Sequence, residues 1–348
     1  MPLQALPTEV VCMIFRFVGA QQLLKNILVC KWWYNIAEPI ALEDIVLSAD
    51  ALIKLPKEAH DRLTSYVQSF TLDLYAARDE FAKQSNKNSP GQTITSIEWS
   101  EALVDQLENV TELLPRCNRL KSFSLRLKTQ FDPSNPLIPR DDYLSLWSPT
   151  KLVDVFQATN LLHLVIDTCG SEIKGHICPG IALSIPSLRS VRLRMQRICP
   201  RILTFRAAVT QDGHSNTLPL SKAEQQDPIP LAKIESIIIN TSLKESDQFS
   251  WGYSQHCTES KRGWDLFDDM VTAATEIAKQ FPTLKVMRIL CHKHPWLEMI
   301  TYDCISGSKM LISEDVGWDW GDDGCADPDD EEISNQGFSS TDSESSED

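Results

Sequence analysis

Six times along the chain the same short spacing returns: an apolar residue, two others, a second apolar residue, one other, a third. It reads Val67, Phe70, Leu72; Leu120, Phe123, Leu125; Leu161, Leu164, Ile166; Leu188, Val191, Leu193; Ile234, Ile237, Ile239; and Leu284, Met287, Ile289. The last two apolar positions are separated by one residue, the period-two spacing of a strand with one buried face. Helical spacing precedes several of these strands. Leu103, Val104, Leu107, Val110, Leu113 and Leu114 predict a helix over 99–114, and Leu152, Val153, Val155 and Phe156 one over 148–158. The clearest runs over 264–281, with Leu266, Phe267, Met270, Val271, Ala274, Ile277, Ala278 and Phe281 on it. Asp265 sits in its first turn and Lys279 in its last, each at the end the helix dipole favours. Pro115, Asn118, Asn160 and Pro282 punctuate the passage from helix to strand.

Helix, short turn and strand, repeated, is the unit of a solenoid. The six strands begin at 67, 120, 161, 188, 234 and 284, so the intervals are 53, 41, 27, 46 and 50 residues. A regular leucine-rich repeat takes about 20–29 residues. One interval fits, so the others hold insertions, and the expected body is an irregular α/β array. An ordinary α/β domain whose strands share a consensus is the alternative. The stretches 76–98, 128–149, 206–232 and 242–263 are rich in Pro, Ser, Asn, Gln and Asp and are expected to be loops. One of them carries Phe249, Trp251 and Tyr253, which read either as partner-binding aromatics or as anchors holding the loop to the body.

Ahead of the array, residues 6–47 read as three short helices. Pro7, Thr8 and Glu9 suit a first turn, and Val10, Val11, Ile14, Phe15, Phe17 and Val18 cover well over half the circumference before Gly19 ends the run. Leu23, Leu24, Ile27, Leu28 and Val29 make a second run. A third, from Lys31 to Glu38, is closed by Pro39. Helices this short cannot bury so many apolar groups among themselves, so part of that surface must face another domain or another protein.

These residues resemble an F-box. Leu6, Pro7, Glu9 and Val10 match the family's opening Leu-Pro-x-Glu-Val/Ile, followed by Ile14 and Phe15. Leu28, Val29, Cys30, Lys31 and Trp33 match its Leu-Val-Cys-Lys-x-Trp, and Leu42 with Ile45 and Leu47 matches its closing pattern. The resemblance implies that the Skp adaptor, and through it a cullin, is engaged through Leu6, Pro7, Ile14, Phe15, Leu28, Val29 and Trp33. It implies a substrate-recognition subunit of a Skp–cullin–F-box ubiquitin ligase, with an unknown protein target held by the repeat region. The repeat region resembles the divergent leucine-rich C-terminal regions of fungal F-box proteins. The expected division is an F-box at 1–48, a leucine-rich-repeat-like region at 49–313 and a disordered acidic tail at 314–348. A protein-interaction scaffold outside any ligase is the alternative function.

Charge supports this division. Fourteen Asp and Glu and no Lys or Arg lie between Glu314 and Asp348, and removing them from the net −15 leaves −1 on the other 313 residues. A nearly neutral body gives no electrostatic reason to expect nucleic-acid binding. In the tail, Ser339, Thr341 and Ser345 each precede an acidic residue by three positions, a spacing acidophilic kinases prefer. No apolar run approaches membrane-spanning length, and no basic leader opens the chain. Ten cysteines without a C-x-x-C pair suggest a reducing compartment, the cytoplasm or the nucleus. No phosphate loop, dinucleotide motif or nucleophile elbow appears, so the chain reads as non-catalytic, with no catalytic, cofactor-binding or metal residue assigned. Cys291, His292 and His294 form the one metal-like group visible in the sequence. They are too close together to read as ligands from separated elements, and polar side chains at a strand end are the better account.

Overall fold

The computed structural model describes residues 6–26, 29–74, 96–127, 131–132, 135–139, 144, 147–158, 160–168, 173, 175–205, 233–243, 252–293 and 298–312. The acidic tail, most of the insertions, Leu28, Phe249, Trp251 and His294 lie outside them.

Three helices come first: α1 (Thr8–Val18), α2 (Ala20–Asn26) and α3 (Lys31–Ala41). Strand β1 (Asp44–Ser48) follows, then α4 (Ala49–Ile53), α5 (His60–Tyr66) and β2 (Ser69–Leu74). Helix α6 (Ser96–Leu113) leads to β3 (Ser122–Leu127), and a separate hairpin of β4 (Phe131–Asp132) and β5 (Asn135–Pro139) comes next. Helix α7 (Leu152–Phe156) precedes β6 (His163–Asp167), and α8 (Cys178–Ser184) precedes β7 (Ser190–Arg194). A short 3-10 turn, Pro200–Leu203, separates β7 from β8 (Ser236–Asn240), and α9 (Trp264–Gln280) separates β8 from β9 (Val286–Lys293). An antiparallel pair, β10 (Glu298–Asp303) and β11 (Lys309–Ile312), completes one nine-stranded sheet. From β1 to β9 its strands are parallel and stand in chain order. Each β–α unit is therefore laid beside the last, as in a solenoid.

The recurrent sequence pattern is the sheet's register. Phe70 pairs with Phe123, then Leu164, Val191, Ile237 and Met287 in one row across the strands, and every one is fully buried. Two residues on, Leu72, Leu125, Ile166, Leu193, Ile239 and Ile289 form a second buried row. The first position of each pattern, from Val67 to Leu284, is also buried and turns the chain into the strand. The crossover helices lie over these rows with Leu103, Leu107, Val110, Val155, Ile181, Met270 and Ile277. Burial of each such side chain is worth about 1.5–3 kcal/mol.

Several boundaries differ from the sequence reading. Residues 44–48 are not part of the helical module, because β1 pairs with β2 and sets Ile45 and Leu47 beside Phe70 and Leu72. Pro39 does not close α3, which continues to Ala41. Pro39 has no N–H to give Asn35 O, so one helical bond is lost, yet the helix runs on and Leu42 N–H reaches Glu38 O at 3.0 Å. The predicted helix at 148–158 begins as a 3-10 turn and is α-helical only over Leu152–Phe156. The described part of the insertion at 242–263 is packed, with Ser254 buried and Tyr253 stacked on His292 at 4.5 Å.

Two contacts set close packing. Helix α8 crosses α7 at Gly180, where a Cβ would lie 2.5 Å from Val153 Cγ2. On the sheet face opposite the apolar rows, Asp73, Arg126, Asp167, Arg194 and Asn240 stand side by side in register. Within that row Arg194 grips Asp167 with two nitrogens, Nε reaching Oδ1 at 2.8 Å, and both side chains are nearly enclosed.

Gly180→Ala is expected to destabilise the chain by about 1–3 kcal/mol, with Val153→Ala in the same chain recovering most of the loss in denaturant titrations. Arg194→Met or Asp167→Leu alone should each cost about 3–5 kcal/mol, because each strands a buried charge. The double variant should cost far less than their sum in a double-mutant cycle.

Candidate functional site

The helical module keeps a core of its own. Val11, Phe15, Leu23, Ala37, Ile40 and Ala41 form a buried cluster separate from the core of the body, with Leu6, Cys12, Trp32, Trp33 and Ile36 packed around it. Local sequence sets the three helices. Pro7 caps α1, its carbonyl accepting from Val10 and Val11 N–H, and Gly19 ends it at φ 82° with its N–H on Phe15 O. Cys30 caps α3, its Sγ accepting from Trp33 N–H at 3.4 Å. Polar contacts tie the module to the body. Arg16 Nη2 meets Glu43 at 3.0 Å, and Arg62 on α5 donates to both Glu38 and Tyr34 on α3. Tyr34 donates in turn to Glu38, which raises the phenol's pKa.

Helix α1 carries two apolar stripes, and only one is used. Val11 and Phe15 turn inward. Val10, Met13, Ile14, Phe17 and Val18 lie at i, i+3, i+4, i+7 and i+8 and turn outward, over an arc of about 140° at 100° per residue. Met13 is 69% exposed and Phe17 94%, values that no packed helix face reaches. Val29, 65% exposed just before α3, adds another apolar group at the module's surface. A soluble chain seldom leaves a whole helical stripe uncovered without a partner for it.

The residues read from the sequence as adaptor contacts divide among several places. Pro7, Ile14 and Val29 are exposed. Leu6 and Trp33 are half-buried at the margin of the small core. Phe15 is 1% exposed and packs at a tilt against Trp33, ring centroids 4.6 Å apart, so it supports the bundle from inside. Leu28 lies outside the described residues. Met13, Phe17, Val10 and Val18 were missed as site residues. Their spacing was visible, but nothing local says which of two stripes on one helix turns inward.

Metal-capable side chains gather elsewhere. Cys291 and His292 are adjacent on β9 and so project to opposite faces, and burial pushes the Cys291 thiol up to about 11. A different group converges: His176, Cys178, Cys199 and Cys257 hold their ligand atoms within 4.8 Å of one another. Among the described residues no helix is long and apolar enough to cross a membrane.

No curated protein matches the chain. Residues 3–42 match the family model of the F-box-like domain, which ends where the small core ends. Domains of this kind bind Skp-type adaptors, and an outward apolar stripe on a self-contained helical module is a surface for protein contact. Residues 3–42 carry an F-box-like domain, a module of F-box-mediated protein interaction.

Proposed function

We propose that this protein is the substrate-recognition subunit of a Skp–cullin–F-box ubiquitin ligase. The outward stripe of α1 carries the reading: Val10, Met13, Ile14, Phe17 and Val18 need an apolar partner, and the family match supplies its class. The Skp-type adaptor covers that stripe, and the adaptor brings the cullin. Leu6, Pro7 and Val29 border the same surface, while Phe15 and Trp33 hold its helices in place.

The body holds the target protein. Parallel strands in chain order, with an α-helix in every interval but β7–β8, where the described residues hold the 3-10 turn Pro200–Leu203, support a leucine-rich-repeat-like array, and such arrays offer long continuous binding surfaces. The protein performs no bond chemistry. It raises the local concentration of the target's lysines at a conjugating enzyme, an effect of proximity alone. It acts in the cytoplasm, the nucleus or both, where its free cysteines stay reduced.

Met13→Asp combined with Phe17→Asp should weaken binding to a Skp-type adaptor by about ten- to a hundredfold in titration calorimetry. Both side chains are exposed, so unfolding of the isolated chain should shift by no more than about 0.5 kcal/mol per substitution. Leu6→Ala with Pro7→Ala should also reduce adaptor co-purification. Adaptor recovery unchanged by all four substitutions would overturn the reading, and recovery of adaptor without cullin would move it to a scaffold outside the ligase.

A further inference from the structure

We propose that His176, Cys178, Cys199 and Cys257 form a structural zinc site that staples three successive units of the body together. The four residues come from three consecutive connections at the carboxyl end of the parallel strands. His176 and Cys178 follow β6 and open α8, Cys199 follows β7 and caps the Pro200–Leu203 turn, and Cys257 follows β8. In the sequence 20 residues separate Cys178 from Cys199 and 57 separate Cys199 from Cys257, so only the sheet's register brings them together.

The cluster has the dimensions of a coordination shell. Cys178 Sγ lies 3.7 Å from Cys257 Sγ, and His176 Nε2 lies 3.1 Å from Cys199 Sγ. Donors 2.3 Å (sulfur) and about 2.0 Å (nitrogen) from a tetrahedral zinc stand about 3.5–3.8 Å from each other. The widest spacing allowed by the 4.8 Å bound exceeds that figure by about 1 Å, within reach of side-chain rotation. A disulfide does not account for it, since the sulfur separation is far beyond a bond of about 2.05 Å, and a bridge would leave a third cysteine and an imidazole against it.

The backbone holds the ligands from both sides. Residues 252–263 are stitched to the segment after β7: Gln255 N–H donates to Gln196 O at 2.8 Å, Ile198 N–H to Gln255 O at 3.0 Å, and Ser254 Oγ to Met195 O at 2.7 Å. Cys178 and Cys199 are buried and Cys257 is half-buried, with His176 on the outer side.

Three thiolates and one imidazole select zinc over the hard cations. With all four positions filled by the chain there is no open position for a substrate, so the metal's part is structural. It fastens the β6, β7 and β8 units at one edge.

The full-length chain, purified under reducing conditions, should carry one zinc by elemental analysis. A strong chelator should lower its melting temperature, and returned zinc should restore it. Cobalt(II) in place of zinc should give the intense visible bands of a tetrahedral site and near-ultraviolet thiolate charge transfer. Cys199→Ser and Cys257→Ser should lose the metal to below about a tenth of stoichiometry, while Cys291→Ala keeps it. Absence of zinc together with a weak octahedral cobalt spectrum would overturn the proposal. So would full zinc in Cys257→Ser, or a Cys178–Cys257 disulfide in protein alkylated under those conditions. If a serine variant fails to fold, the metal content and cobalt spectrum of the unaltered chain still decide.

Discussion

Register holds this molecule together. Two rows of buried side chains, Phe70 to Met287 and Leu72 to Ile289, run straight across the parallel strands, and every crossover is shaped by the need to cover them. A slip of one residue in any strand would turn its apolar set to the polar face and bring Asp167 or Arg194 into the core. That penalty lets intervals of unequal length join one regular sheet. The insertions vary, while the strands cannot.

The two ends of the sheet are finished differently. At the last parallel strand, β9 pairs with β10 and β10 with β11, an antiparallel cap that ends the repetition. At the first, β1 emerges directly from the helical module, so the docking surface and the body share a continuous backbone. The separate small core makes the module an independent unit of packing, and the ion pairs at Arg16 and Arg62 fix its attitude without merging the cores.

Most of the body was legible because period-two burial leaves a local trace. All six recurrences in the sequence fall on strands in identical register, and the helices at 96–113 and 264–280 follow their apolar spacing. Strand β1 was read as part of the module, since five residues with mixed exposure give no pattern strong enough to outweigh their neighbours. The antiparallel pair β10–β11 left no recognisable recurrence at all. In the module, three helices were readable from Pro7, Gly19 and the apolar runs, though not the end of the third, and Phe15 and Phe17 look equivalent in a one-dimensional text. One is enclosed and the other almost wholly bare.

By itself the sequence determined the periodicity, the order of units, the family of the N-terminal module and the excess of apolar surface it carries. These are properties of neighbours within a few residues, where helix and strand geometry act directly. Tertiary structure decided which stripe of α1 is left for a partner, and that His176, Cys178, Cys199 and Cys257 meet. Both are matters of distance between residues far apart in the chain, and they are settled only when parallel strands lie side by side and carry their loops to a common edge.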